Sequence, residues 1–118
     1  LVDYALRRRF SFVTLEPKFR DPVYLAWLRH RGMEESLMNT IIDSMTILNV
    51  RISEDRQLGP EYQIGHSFFC PRGEDFSELD INWFREIVDT EIKPLVREYW
   101  FDEPEKIEST FSELFGPL

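Results

Sequence analysis

The sequence predicts a mainly α protein, a helical bundle preceded by one orphan β-strand of an absent core. Three observations carry this expectation. After about residue 20, apolar residues recur at intervals of three and four, the spacing of one helix face. Helix punctuation recurs with them: Asp21-Pro22 as a cap followed by proline, Gly32 as a stop, and Gly116-Pro117 as another. Only residues 10–15, Phe-Ser-Phe-Val-Thr-Leu, have the β-branched and aromatic density of a strand.

Residues 1–8 read as the end of a helix that continues from earlier residues. Phe10, Phe12, Val13 and Leu15 then place apolar groups on both faces, which fits a strand buried on both sides, as in a parallel sheet. Pro17 ends it, and no second strand of comparable quality follows. Such a strand with two free edges is expected either to pair with another chain or to be locally disordered. Residues 1–17 are therefore assigned to the end of an α/β core and residues 18–118 to a helical subdomain.

The first helix of the bundle starts at Asp21-Pro22, carries Val23, Tyr24, Trp27 and Leu28 on its packed side, and stops at Gly32. A longer helix follows from Glu34-Glu35 to about Ser53, with Leu37, Ile41, Met45 and Leu48 as its stripe. Leu58-Gly59-Pro60 is a turn. Residues 64–70 form a short apolar piece, helical from Ser67 or from Gly65, and residues 71–75 form a polar loop. The next helix begins near Asp80, and Pro94 inside it predicts a kink near Thr90, whose carbonyl loses its donor. Asp102 is placed as the cap of the last helix, which buries Ile107, Phe111, Leu114 and Phe115.

Composition narrows the function. At 118 residues and 42% hydrophobic content the chain supports a single domain with a modest core. Three Trp, four Tyr and ten Phe argue against disorder. The one cysteine, Cys70, cannot form an internal disulfide, which favours a reducing, cytoplasmic setting. No apolar run approaches the roughly 20 residues needed to span a bilayer. The net charge of −8 is unevenly spread. Residues 1–20 hold five cations (Arg7, Arg8, Arg9, Lys18, Arg20) against Asp3 and Glu16, a surplus of three that leaves the remainder eleven negative. An acidic body repels a nucleic-acid backbone, so the basic N-terminal edge is where an anion would be drawn.

Site chemistry is sparse. His66 and Cys70, four apart, could share a helical face, but His30 is the only other histidine and a closed zinc site wants four ligands. A core cysteine beside a locally bonded histidine is the simpler account of the pair. There is no glycine-rich phosphate cradle. The guanidinium fork of an arginine matches phosphate oxygens, so Arg7, Arg8 and Arg9 either meet a phosphate or complement a helix C-terminus.

Three stretches carry a family resemblance: Leu-Val-Asp-Tyr-Ala-Leu-Arg-Arg-Arg-Phe (residues 1–10), Leu-Gly-Pro-Glu-Tyr-Gln-Ile-Gly-His-Ser-Phe-Phe (58–69) and Glu-Ile-Lys-Pro-Leu-Val-Arg-Glu-Tyr-Trp-Phe-Asp (91–102). In order and spacing the chain resembles the last part of McrB-like AAA+ motors, the GTP-driven subunits of methylcytosine-dependent restriction systems. The resemblance implies that Arg9, with Arg8 as competitor or co-worker, reaches the γ-phosphate bound by a neighbouring subunit. It implies that Gly65, His66 and Ser67 stand where such lids place their second nucleotide sensor, at a helix N-terminus. Many of these lids carry an arginine there, and this chain does not. Capping of that helix by Ser67 accounts for the same residues equally well. GTP or ATP with Mg would be bound by residues upstream, in a homo-oligomeric ring that works with a McrC-like nuclease subunit and meets DNA through other domains. The segment alone should hydrolyse nothing. The alternative from another class is an acidic helical protein-interaction module with its arginines solvated.

Overall fold

A computed structural model describes residues 17–70 and 79–116 of the chain. The predicted strand at residues 10–15 and Arg7, Arg8 and Arg9 lie outside the described residues, as does the loop at residues 71–75. Among the described residues all regular structure is helical. Helix α1 spans Pro22–His30, α2 Glu35–Glu54, α3 Ile81–Ile87, α4 Lys93–Tyr99 and α5 Pro104–Phe115. Two 3₁₀ turns, Pro60–Tyr62 and His66–Phe69, lie between α2 and α3. No described helix is long and apolar enough to cross a membrane.

Local chemistry sets these boundaries. The Asp21 carboxylate accepts from the Val23 and Tyr24 amides at 2.8 and 3.4 Å, and Pro22 takes the first helical position, where no donor is required. At the other end of α1, Gly32 adopts φ +91°, and the Gly32 amide donates to Arg29 O while the Met33 amide donates to Leu28 O. That pair of bonds is a Schellman stop. Leu28 and Met33 are both buried, which adds the apolar contact that accompanies it. The stripe of α1 differs from expectation: Tyr24 and Leu28 face the core, whereas Val23 is 78% exposed. One hundred degrees of rotation separates Val23 from Tyr24, and the core takes the larger ring.

Helix α2 is the spine. Leu37, Met38, Ile41, Ile42, Met45, Leu48 and Ile52 are buried along it, and it packs on the Pro60–Tyr62 turn and on α5. Helices α3 and α4 form one rod joined by a π-helical segment, Val88–Ile92, in which the Lys93 amide bonds Val88 O. Pro94 cannot donate to Thr90, and the backbone widens into i→i−5 bonding just before it. The kink expected there takes this form. The expected Asp102 cap is corrected. The Glu103 amide donates to Trp100 O at 2.9 Å and closes a tight turn, so Glu103 occupies the cap position and Pro104 starts α5.

That corner is held by one carboxylate. Asp55, at the end of α2, accepts from the Trp100 indole Nε1 at 3.0 Å, from Lys106 Nζ at 3.1 Å and from the Gln57 amide at 2.8 Å. The Lys106 ammonium also lies over the Trp100 ring, 4.5 Å from its centroid. Burial pushes the Asp55 carboxyl up, but the Gln57 amide, Lys106 and Trp100 outweigh it and hold the group below its ordinary value. A folded-state value below the unfolded one means stability that is complete above about pH 4 and is lost as pH falls through the folded value. Asp55→Ala leaves the buried Trp100 N–H without its acceptor and should cost about 1–3 kcal/mol at neutral pH in urea denaturation, with a shallower loss in acid. An unchanged midpoint would contradict this assignment.

Candidate functional site

Between the two 3₁₀ turns the chain runs extended across α2, with no neighbouring strand among the described residues to satisfy its backbone. A side chain does so instead. Asn49 is 4% exposed; its Nδ2 donates to Ile64 O at 2.9 Å and its Oδ1 accepts from the Ile64 amide at 2.6 Å. One amide therefore pairs both main-chain groups of the residue immediately before Gly65, as a bridging strand would. Ile64 itself is buried, so the backbone is fixed on both sides of its Cα.

The turn that follows is pinned by an aromatic corner. The His66 ring lies edge-on to Tyr24 at 4.8 Å between centroids and to Phe19 at 6.3 Å. The Tyr24 hydroxyl donates to Phe69 O at 3.0 Å, at the far end of the same turn. Burial, and secondarily Cys70, pushes the Tyr24 phenol well above its ordinary range, so it stays a donor. Ser67 points into solvent, and Gly65 and His66 are half-exposed. On the other face of Asn49, Phe19, Arg20, Thr46, Val50 and Gln63 wall an open cleft of about 230 Å³.

The structure thus brings Gly65, His66 and Ser67 together on one fixed surface turn, but in a form that differs from the expected helix N-terminus. His66–Phe69 is a four-residue 3₁₀ turn, too short to build a helix macrodipole. Ser67 is not its cap: Gly65 holds that position, and no side chain bonds the turn's first amides. Gly65 has an ordinary φ of −80°, and a methyl added there would meet only Ser67 Oγ at 3.9 Å. Nothing within the described chain requires a glycine at that place.

Cys70 belongs to the packing. Its Sγ–H donates to the His66 carbonyl at 3.6 Å, and burial pushes the thiol up, the reverse of an activated nucleophile. No group of three or more His, Cys, Asp or Glu is placed to hold a metal ion among the described residues. Arg9 and Arg8 lie outside those residues.

Sequence reasoning missed Asn49, although a signal was available: it follows Met45 by four residues and precedes Ile52 by three, a polar side chain in the buried stripe of α2. Tyr24 was read only as core and Phe19 was not singled out, whereas both rings pack against His66 at the turn.

A helical bundle that presents one rigid backbone turn at its surface is the class of structure the fold defines. The chain belongs to the family of McrB alpha-helical lid domains, which matches residues 40–108 and so includes Asn49, Asp55, Ile64 and the turn at residues 65–67. It is also 43% identical over 117 residues to the type IV methyl-directed restriction enzyme EcoKMcrB subunit of Escherichia coli K12, an alignment covering 98% of this chain and 26% of that protein. The chain thus spans about a quarter of that relative's length.

Asn49→Ala removes both bonds to Ile64 and leaves two buried main-chain groups unpaired, so it should cost about 2–4 kcal/mol. Amide exchange at Ile64 should accelerate more than exchange in α5. Equal acceleration in both places would show that Asn49 acts on the fold as a whole and not on the turn.

Proposed function

We propose that this chain is the C-terminal lid and arginine-finger segment of a McrB-like AAA+ NTPase motor, with GTP as its substrate, that drives DNA translocation and cleavage by a partner nuclease in modification-dependent restriction. The observation that carries the reading is the alignment of nearly the whole chain with a restriction-enzyme subunit, together with a turn at residues 65–67 that is held rigid from its core side and open on its outer side. An open, preorganised backbone turn suits close approach of a ligand.

In this reading the segment makes two contributions. The turn at residues 65–67 offers main-chain amides, the Ser67 hydroxyl and the His66 ring edge to a nucleotide held by the same protomer. Asn49 and Tyr24 are positioning residues, since they fix the two ends of that turn. Arg9, with Arg8 beside it, extends to the nucleotide of the next protomer. A guanidinium supplied across a subunit boundary neutralises charge that develops on the transferred phosphoryl, an effect of roughly 10³–10⁵ in rate. The phosphate cradle, the magnesium ligands and the choice of base belong to residues of the parent protein before Leu1. Copies of the chain meet in a ring, and the ring works with a nuclease subunit.

Arg9→Ala and Arg8→Ala in the full-length protein test the trans role. At least one should lower NTP turnover by roughly a thousandfold while sedimentation shows the ring intact; unchanged turnover in both would refute it. Gly65→Ala tests the turn separately. At φ −80° it should leave the melting temperature unchanged or slightly raised, yet weaken nucleotide binding in the parent. Wild-type nucleotide affinity would remove the turn from the site.

A further inference from the structure

We propose that helix α3 opens as a unit about the π-helical segment Val88–Ile92, releasing the Phe69 end of the surface turn while Asn49 still holds its Ile64 end. The turn thereby alternates between two points of attachment and one. No ligand is needed for this, so the inference stands apart from the function proposed above.

The π-helical segment holds one residue more than a regular helix needs. Phe84, Val88, Ile92 and Val96 are each at most 2% exposed, and successive members lie four residues apart. In an α-helix a four-residue step overshoots a full turn by about 40°, so three steps would carry Val96 about 120° away from Phe84. The i→i−5 turn takes up one residue, about 100° of that drift, and keeps all four side chains in the core. The surplus falls in the exposed run of Asp89, Thr90 and Glu91. Helical continuity is broken there. The Lys93 amide goes to Val88 O, so Asp89 O receives neither that amide nor one from Pro94, and Thr90 O faces the same proline.

What precedes the break is lightly held. Helix α3 has seven residues, too few to persist without packing. Phe84 is its one buried side chain; Trp83 and Ile87 are half-buried and the other four are exposed. Phe84 packs on Phe69 at 5.3 Å between ring centroids and on Phe115 at 6.0 Å, and Trp83 meets Phe69 edge-on at 6.4 Å. Phe69 therefore rests against α3, while its carbonyl accepts from the Tyr24 hydroxyl. When α3 lifts, Phe69 loses one side of its packing and the Tyr24 bond loses its support. Asn49 belongs to α2, so the Ile64 end stays in place. Segments with few buried contacts open at lower free energy than the core they cover.

Native-state amide exchange on the 118-residue chain tests this. Amides of residues 84–87 should share one opening and exchange at least about tenfold faster than those of Leu48, Ile52 and Ile64. The Cys70 amide, which donates to Ser67 O at 3.3 Å and closes the turn, should open with them. Deletion of Asp89 leaves the four buried residues four, three and four apart, the spacing of an ordinary helix face. It should preserve the helical circular dichroism and slow exchange in α3 and at Cys70 by about tenfold, with Ile64 unchanged. Exchange of α3 at the rate of α2, no slowing on deletion, slowing of α3 without Cys70, or a deletion variant that does not fold overturns the proposal.

Discussion

The side-chain amide of Asn49 does for Ile64 what a neighbouring strand does elsewhere, and the geometry of the candidate site follows from it. A chain crossing the flank of a helix must satisfy its main-chain groups or leave them buried and unpaired, at about 1–3 kcal/mol each. Asparagine is suited to that position because its one planar group carries both a donor and an acceptor. With Ile64 fixed at 2.6 and 2.9 Å, the next three residues inherit a set direction before any side chain of their own acts. The Tyr24 hydroxyl then fixes the other end of the turn through Phe69 O. The result is a short irregular segment with the positional definition of a regular element.

The same helix anchors the opposite corner of the bundle. Asn49 and Asp55 stand six residues apart on α2, and each gathers a distant segment: the Asn49 amide the turn at residues 65–67, the Asp55 carboxylate the Trp100 indole and Lys106. Apolar burial of Leu48 beside Asn49 and of Ile52 between the two holds α2 in the core. Burying side chains of this size is worth about 1.5–3 kcal/mol each and supplies most of the driving force. The two polar anchors select which arrangement that force produces.

Much of the fold was legible because helices advertise themselves by period and punctuation. Asp21-Pro22 and Gly32 delimit α1 as read, and the stripe from Leu37 to Leu48 gives α2. The Pro94 disturbance lies where the missing donor requires it. The misreadings have local causes. Asp102 lost the cap because a tight turn of four residues, invisible to periodicity, moved the helix start by one. Val23 was placed inside because it shares a stripe with Trp27, and that stripe borders the buried one. The turn at residues 65–67 was found through resemblance, but its 3₁₀ form and the Asn49 clamp depend on a contact fifteen residues away, which no local pattern encodes. Arg8, Arg9 and the residues 10–15 strand lie outside the described residues.

The chain belongs to the McrB lid family, and on the proposed reading its fixed turn delivers rigid backbone to one side of a pocket whose remainder is encoded elsewhere in the parent protein. On the proposed reading the arginines at the chain's start serve a different copy, so neither contribution is complete within one subunit. Subunit mixing tests that division of labour most directly. A parent subunit with Arg8 and Arg9 replaced by alanine keeps its own nucleotide cradle, and a second subunit with a disabled cradle keeps its arginines. Each should be inactive alone, and NTP turnover should return when the two are assembled together. A mixed assembly as inactive as its components would contradict the account.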